Sequence, residues 1–271
     1  WDLVSMGCRS TSSCCDGESD FKTFSWRYKT WLVVRRILSI CINLLAIYVA
    51  IICCGATYQI KVTKSKLPYI DEALYAHMNE GPVCAFDYKC GTLKTFPNEI
   101  AADLANATIA HCGACASCSS WNDLELQWST KEFLSEKAQK CGTKTMFKGI
   151  DALQDCLEED IGWTPPCALC WAEDIMCSKS HCIFIFLQSQ MTNQIANFEV
   201  GPETITSATC EEANCEAGNP GDFVACSGST RRRMNITSDI NRPDQQQCAL
   251  VGIPNSDWEA FFDQTMCRVE D

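Results

Sequence analysis

The stretch that most constrains this chain is Ile37–Ala56, I-L-S-I-C-I-N-L-L-A-I-Y-V-A-I-I-C-C-G-A, in which the only polar side chains are Ser39, Asn43 and the Tyr48 hydroxyl. Its twenty residues, at about 1.5 Å of rise each, are long enough to cross a hydrocarbon core of about 30 Å. No comparable run occurs elsewhere, so one membrane span is expected. Lys22, Arg27, Lys29, Arg35 and Arg36 precede it without an acid among them, whereas Lys61, Lys64 and Lys66 follow it together with Asp71 and Glu72. That asymmetry predicts a cytosolic N-terminus and an exterior C-terminal part, the type II orientation. Cys54-Gly55-Ala56 also resembles a signal-peptidase site. The apolar core of a signal peptide spans only about 7–15 residues, which favours a retained anchor. A buried core helix would show a polar face, and this run has none.

The exterior part is acidic and rich in cysteine. Residues 61–271 carry sixteen Lys/Arg against thirty Asp/Glu, a net −14, which repels nucleic acid and anionic headgroups alike. Of 22 cysteines, sixteen follow the span: Cys84, Cys90, Cys112, Cys115, Cys118, Cys141, Cys156, Cys167, Cys170, Cys177, Cys182, Cys210, Cys215, Cys226, Cys248 and Cys267. An even number in an oxidising compartment reads as a disulfide framework, with connectivity left open. Sequons at Asn106 and Asn235 fall in the same part and would carry N-glycans there.

Taken in order, residues 1–36 read as a cytosolic tail that turns basic and aromatic towards the bilayer, and 37–56 as the span. A start at Met6 would place Gly7 and Cys8 in an acylation pattern. Residues 57–96 read as a stalk followed by a looped segment of β-hairpin type containing the close pair Cys84 and Cys90. From 97 to 195 the pattern predicts a disulfide-stapled helical bundle of four helices. The first opens at Pro97-Asn98-Glu99 and carries Ile100, Leu104 and Ile109 to near Cys112. A second covers about 123–141, with Ser129 and Glu132 as an internal cap, and a third about 149–160, stopped by Gly162. The fourth starts at Pro165-Pro166 and runs towards Gln190. Cys112, Cys115 and Cys118 would then form one helical stripe, and Cys167, Cys170 and Cys177 another. Residues 196–271 read as loop-rich and stapled, ending in a short helix capped by Ser256 with Glu259 and bearing Trp258, Phe261 and Phe262. The fold class expected is thus mainly α: one transmembrane helix and a stapled, loop-rich exterior domain.

No G-x-S-x-G, H-E-x-x-H, P-loop, dinucleotide fingerprint or EF-hand loop occurs. The C-x-x-C pairs Cys112/Cys115 and Cys167/Cys170 have the form of zinc half-sites, but their separation and the compartment favour disulfides. Cys167 and Cys170, at a predicted helix start, also have the form of a redox centre, which lacks the βαβ context of thioredoxin-like folds. Of the three histidines, His77, His111 and His181, the last two neighbour cysteines and read as packing or surface residues. Arg231-Arg232-Arg233 reads either as a dock for a partner's carboxylates or as pairing with the chain's own acids.

Three local patterns occur in order: H-C-G-x-C-x-x-C-S at His111–Ser119, P-C-x-x-C-W at Pro166–Trp171 and R-R-R-x-x-I-x-S-D-I at Arg231–Ile240. Together they resemble an uncharacterised family of single-pass, cysteine-rich membrane proteins of algae and related protists. The resemblance implies that the exterior domain is a recurring unit in such organisms, and it brings no activity or catalytic residue with it. The functional expectation is a non-catalytic membrane glycoprotein, without cofactor or metal, serving as a structural or interaction subunit of a surface, filament, virion or membrane assembly. Its expected partners are membrane lipid and other protein subunits, not nucleic acid. A thiol-disulfide oxidoreductase using Cys167 and Cys170 is one alternative; a ligand-binding ectodomain, whose sign would be an apolar or aromatic pocket, is the other.

Overall fold

The computed structural model describes residues 17–70, 78–87, 92–196, 207–216, 223–236, 246–253 and 258–263. The chain divides into two units, Trp1–Ile51 and Ile52–Asp271. In the first, the described residues belong to the helix α1 (Gly17–Ile70), whose Tyr28, Trp31, Leu38, Leu45 and Ile51 are all more than half exposed. Within α1 lies the one described helix that is long and apolar enough to cross a membrane. The expected stalk is its continuation: α1 stays helical through Lys66 and reaches Pro68 only in its final turn.

The second unit takes in the end of α1, from Ile52, and continues with a small antiparallel sheet. Its strands are β1 (Val83–Asp87), β2 (Thr92–Phe96) and β3 (Thr108–Cys112), in the order β2-β1-β3. The expected hairpin is β1 with β2, Phe86 facing Leu93. The central strand β1 is buried along its whole length, whereas β2 is a half-exposed edge.

β3 corrects the sequence reading, which continued a helix to Cys112. Asn98 caps that helix, α2 (Glu99–Leu104), by accepting the Ala101 amide at 2.9 Å, but the helix lasts only six residues. Asn106 adopts φ 56°, reversing the chain, and Thr108-Ile109 then enter the sheet opposite Phe86 and Ala85. Asparagine tolerates that left-handed backbone, and β-branched residues suit a pleated surface.

The expected helix over 123–141 is two helices, α3 (Trp121–Ser129) and α4 (Leu134–Lys144). The Thr130 hydroxyl donates to the Leu126 carbonyl at 2.6 Å and closes α3 there. Ser129 turns back to the same carbonyl instead of capping α4, so the cap in this region is Ser120, which accepts the Asp123 amide at 3.1 Å. Asp123 is fully buried and also accepts the Thr164 amide (2.9 Å) and hydroxyl (2.6 Å), tying the start of α3 to the link between α5 (Ile150–Ile161) and α6 (Pro165–Ala196). These last two helices match the sequence reading. Gly162, at φ 99°, takes the left-handed stop of α5, and its amide bonds Glu158.

Four helices do not share one bundle. α4, α5 and α6 bury Leu134, Leu153, Leu157, Ile161 and Ala172 among themselves. α3 instead lends Leu124 to a second core, where Phe86 of β1 meets Trp258 and Phe262 of the short C-terminal helix Trp258–Asp263. Ser256, its expected cap, lies outside the described residues. Between α6 and that helix the chain forms α7 (Ser207–Glu211), a π-helical turn (Glu212–Glu216) and α8 (Phe223–Ser227).

Fourteen of the sixteen post-span cysteines pair: Cys84–Cys115, Cys112–Cys248, Cys118–Cys167, Cys141–Cys156, Cys170–Cys226, Cys177–Cys215 and Cys182–Cys210. Cys90 and Cys267 lie outside the described residues. The α6 stripe holds as expected, with Cys182 added to it. Cys112, Cys115 and Cys118 form no helical stripe, because they sit at the end of β3 and in the loop after it. Peptide mapping of the unreduced full chain should recover these seven linkages. A peptide joining Cys84 to Cys90 would contradict the arrangement of the sheet.

Candidate functional site

Among the described residues of the second unit, a groove of about 520 Å³ runs along α6, within the range typical of ligand pockets. Helical periodicity makes its long wall: Trp171, Ile175, Lys179, Ile183, Phe186 and Gln190 recur every three or four residues and share one face of α6. The second wall is α4, where Leu134, Ala138 and Gly142 repeat every four residues. Ala138 and Gly142 leave room because they are small; a β-carbon on Gly142 would already stand 3.2 Å from Ile175. Glu211, Glu212, Glu216, Phe223 and Arg232, on the chain returning from α6, make the third.

The end of the groove near Trp171 is aromatic. Trp171 stacks on Trp163 at 5.4 Å between ring centres and meets Phe223 edge-on at 4.8 Å, arrangements favoured by ring quadrupoles. At the other end stand Phe186, Ser189 and Gln190, uncharged. Apart from Lys179 on α6, the charged lining residues lie on the third wall, where Arg232 Nη2 meets Glu212 Oε1 at 2.9 Å with both side chains about nine-tenths buried. Lys179 crosses to the Met146 carbonyl. Behind Glu211 and Glu216 lies Asp174, 1% exposed, whose oxygens meet no hydrogen-bond donor. Burial first, and then the charges of Glu211 and Glu216, hold its carboxyl well above the usual range, and Glu211 supplies the oxygen with which a proton can be shared. The groove is thus apolar over most of its walls, with a polar strip that is largely self-neutralised.

Of the sequence candidates, Arg231, Arg232 and Cys182 line the groove. Cys167 and Cys170 are buried and belong to two different bridges, to Cys118 and Cys226, so the pair does not form the internal disulfide through which a C-x-x-C exchange centre cycles. Two sets of potential metal ligands converge among the described residues, Cys84/His111/Cys115 and Cys141/Cys156/Asp160; in each, both sulfurs are already joined as a disulfide. Arg232 is spent on Glu212, and Arg233 Nη1 donates to the carbonyls of Gly228 (2.9 Å) and Val224 (3.3 Å). Asn106 is exposed at the turn after α2, whereas Asn235 is half-buried between Met234 and Ile236, which are fully covered. His77 lies outside the described residues, and His181 is exposed. The groove escaped sequence reasoning; its one legible trace is I-F-I-F-L at Ile183–Leu187, apolar on every side of a helix.

Residues 150–250 match the model of a family of unknown function, DUF8771. That segment holds α5, α6 and the returning chain, and so two of the three walls of the groove. No curated protein and no solved structure matches the chain.

His111 is a packing residue of unusual chemistry. It is fully buried, its Nδ1 donates to the Cys112 carbonyl at 2.9 Å, and its Nε2 therefore accepts from the Ser119 hydroxyl at 2.9 Å. Burial, opposed by the Cys112 hydrogen bond and reinforced by the nearby Arg233 charge, lowers its pKa from 6.5 to about 4. The folded state therefore binds fewer protons than the unfolded chain between these values. The stability tied to neutral His111 is complete above pH 6.5 and lost as pH falls through 4, on the order of 3 kcal/mol. Asp174, with its raised pKa, acts in the opposite sense, so the test is a comparison. Urea unfolding of wild type and of His111→Gln from pH 7 to 4 should show a steeper loss in the wild type; parallel curves would refute the assignment.

Proposed function

We propose that this chain is a single-pass membrane protein of type II orientation whose rigid exterior domain holds an extended apolar ligand in the groove along α6. The groove itself carries this reading: a long, mostly apolar concavity with an aromatic end, walled by elements that disulfides fix in place. Preformed walls spare a ligand the cost of ordering them, which is where much binding free energy is otherwise lost. The positive-inside bias and the dense disulfides support an exterior placement for the domain. Exposed Asn106 supports its being a glycoprotein.

A second reading is a non-catalytic structural or interaction subunit of a surface layer, filament, virion or membrane complex. It is supported by the density of the staples, which favours durability over motion. The two differ in what the groove does.

With the full chain reconstituted in lipid nanodiscs, the apolar dye 8-anilinonaphthalene-1-sulfonate should give saturable fluorescence above that of empty discs. Met176→Trp, which fills the groove, should weaken it about tenfold, the loss of a single good apolar contact surface. Equal binding by both proteins would leave only the structural role. For the orientation, Asn106→Gln should remove one glycan-sized step in electrophoretic mobility from protein made in a eukaryotic secretory pathway. No change on glycosidase treatment of the wild type would contradict an exterior domain.

A further inference from the structure

The polar strip of the groove balances itself except at one point. Arg232 answers Glu212, and Lys179 is drawn to the Met146 carbonyl. Asp174 and Glu211 have no such counterpart: among the described residues neither carboxyl is paired with a Lys or an Arg. Asp174 is 1% exposed, and neither of its oxygens accepts a hydrogen bond from a protein donor. The charges acting on it, those of Glu211 and Glu216, are both negative, and with burial they keep a proton on its carboxyl that Glu211 can share. Ser178 stands one turn further along α6, and its buried hydroxyl oxygen likewise has no hydrogen-bond partner. Polar groups buried in this state cost free energy that the fold itself does not recover.

These groups border the groove, not a sealed core. Ser178, Glu211 and Glu216 line it, and Asp174 adjoins Glu211 from behind. Helical geometry sets the patch beside the aromatic end. Asp174 and Ser178 follow Trp171 by three and seven residues on the same side of α6, about 5 and 10 Å along its axis. Trp171 and Phe223, in edge-on contact, complete the neighbourhood.

We infer that the groove's ligand carries an ammonium group, which lodges between Glu211 and Ser178 with its apolar body against Trp171 and Phe223. This rests on the groove being a ligand site and adds the chemical class of the ligand. The N–H bonds of an ammonium supply the donors that Glu211 and the Ser178 hydroxyl lack, and those to the carboxylate are charge-assisted. Its positive charge also takes the place of the proton shared by Asp174 and Glu211. That proton leaves to solvent, and both carboxylates then stand ionised beside one cation. A divalent metal ion matches the site less well. Among the described residues, the side chains that converge within 4.8 Å as potential metal ligands are Cys84/His111/Cys115 and Cys141/Cys156/Asp160, so Asp174, Glu211 and Glu216 are spread too widely for one small ion to hold all three.

The test is displacement of 8-anilinonaphthalene-1-sulfonate from the full chain in phosphatidylcholine nanodiscs, with empty discs subtracted. The competitors are naphthylethylammonium and its uncharged counterpart naphthylethanol. The ammonium should displace the dye at about tenfold lower concentration than the alcohol. In Asp174→Asn and in Glu211→Gln, each of which removes one carboxylate and keeps its shape, that preference should fall to about twofold or less with dye binding retained. Glu211 is only half-buried, so Glu211→Gln decides the matter if Asp174→Asn does not fold. Equal displacement by both competitors in the wild type, or none by either, would overturn the ammonium while leaving a site for other apolar ligands. An undiminished preference in the folded variants would overturn its placement at Glu211 and Asp174. Dye that binds the wild type no better than empty discs would remove the ligand site, and this inference with it.

Discussion

Four half-cystines along one helix govern the second unit. Cys167, Cys170, Cys177 and Cys182 project from α6, and three of their partners fall in sequence as they rise: Cys226, Cys215 and Cys210. That nested order forces the chain leaving α6 to return antiparallel along it. In isolation a staple closing a loop of the 28 to 56 residues seen here would stabilise by about 3–4 kcal/mol, mainly by restricting the unfolded chain. Nested loops constrain the same segment, so those contributions do not sum. What they secure is arrangement: several small apolar clusters, none large enough to hold such a fold unaided, are kept in register by covalent geometry.

The helices flanked by strong local punctuation were legible in the sequence. Gly162 stops α5 and Pro165-Pro166 start α6 because those residues restrict the backbone itself, whatever surrounds them. β3 was not legible, since Ile100, Leu104 and Ile109 keep helical spacing while the deciding event is the left-handed Asn106 between them. The spacing of Cys112, Cys115 and Cys118 likewise fits a helical face, yet each sulfur leaves for a different element, to Cys248, Cys84 and Cys167. Pairing of this kind is decided by tertiary approach and leaves no trace in spacing. The groove was hidden for a related reason. Ala138 and Gly142 are unremarkable in a helix, and their small size acquires meaning only opposite Ile175 and Trp171.

The arginine triplet shows how a charged run can be spent inside a fold. Taking Arg232 and Glu212 out of water carries a desolvation penalty that their mutual attraction at 2.9 Å offsets only in part, so the pair is better understood as fixing arrangement than as adding stability. Its location fits that role. The carbonyls of Arg232 and Arg233 accept the amides of Cys248 and Cys112, at 3.1 and 3.0 Å, so the triplet's backbone joins two strands of chain that a disulfide also joins. The Arg233 side chain then crosses Gly113, where a β-carbon would be 2.5 Å away, to close the end of α8.

A concavity flanked by apolar helices is ordinarily unstable, because the walls gain contacts by collapsing onto one another. Here each wall is held from behind. α4 is fastened to α5 by Cys141–Cys156, α6 to the loop after β3 by Cys118–Cys167, and the returning wall to α6 by three bridges. Closing the groove would require α4 to advance on α6, and Gly142 already stands as near Ile175 as a β-carbon would allow. The same covalent frame therefore keeps an apolar channel open along α6, and any molecule that fills it recovers the contacts the walls cannot make with each other.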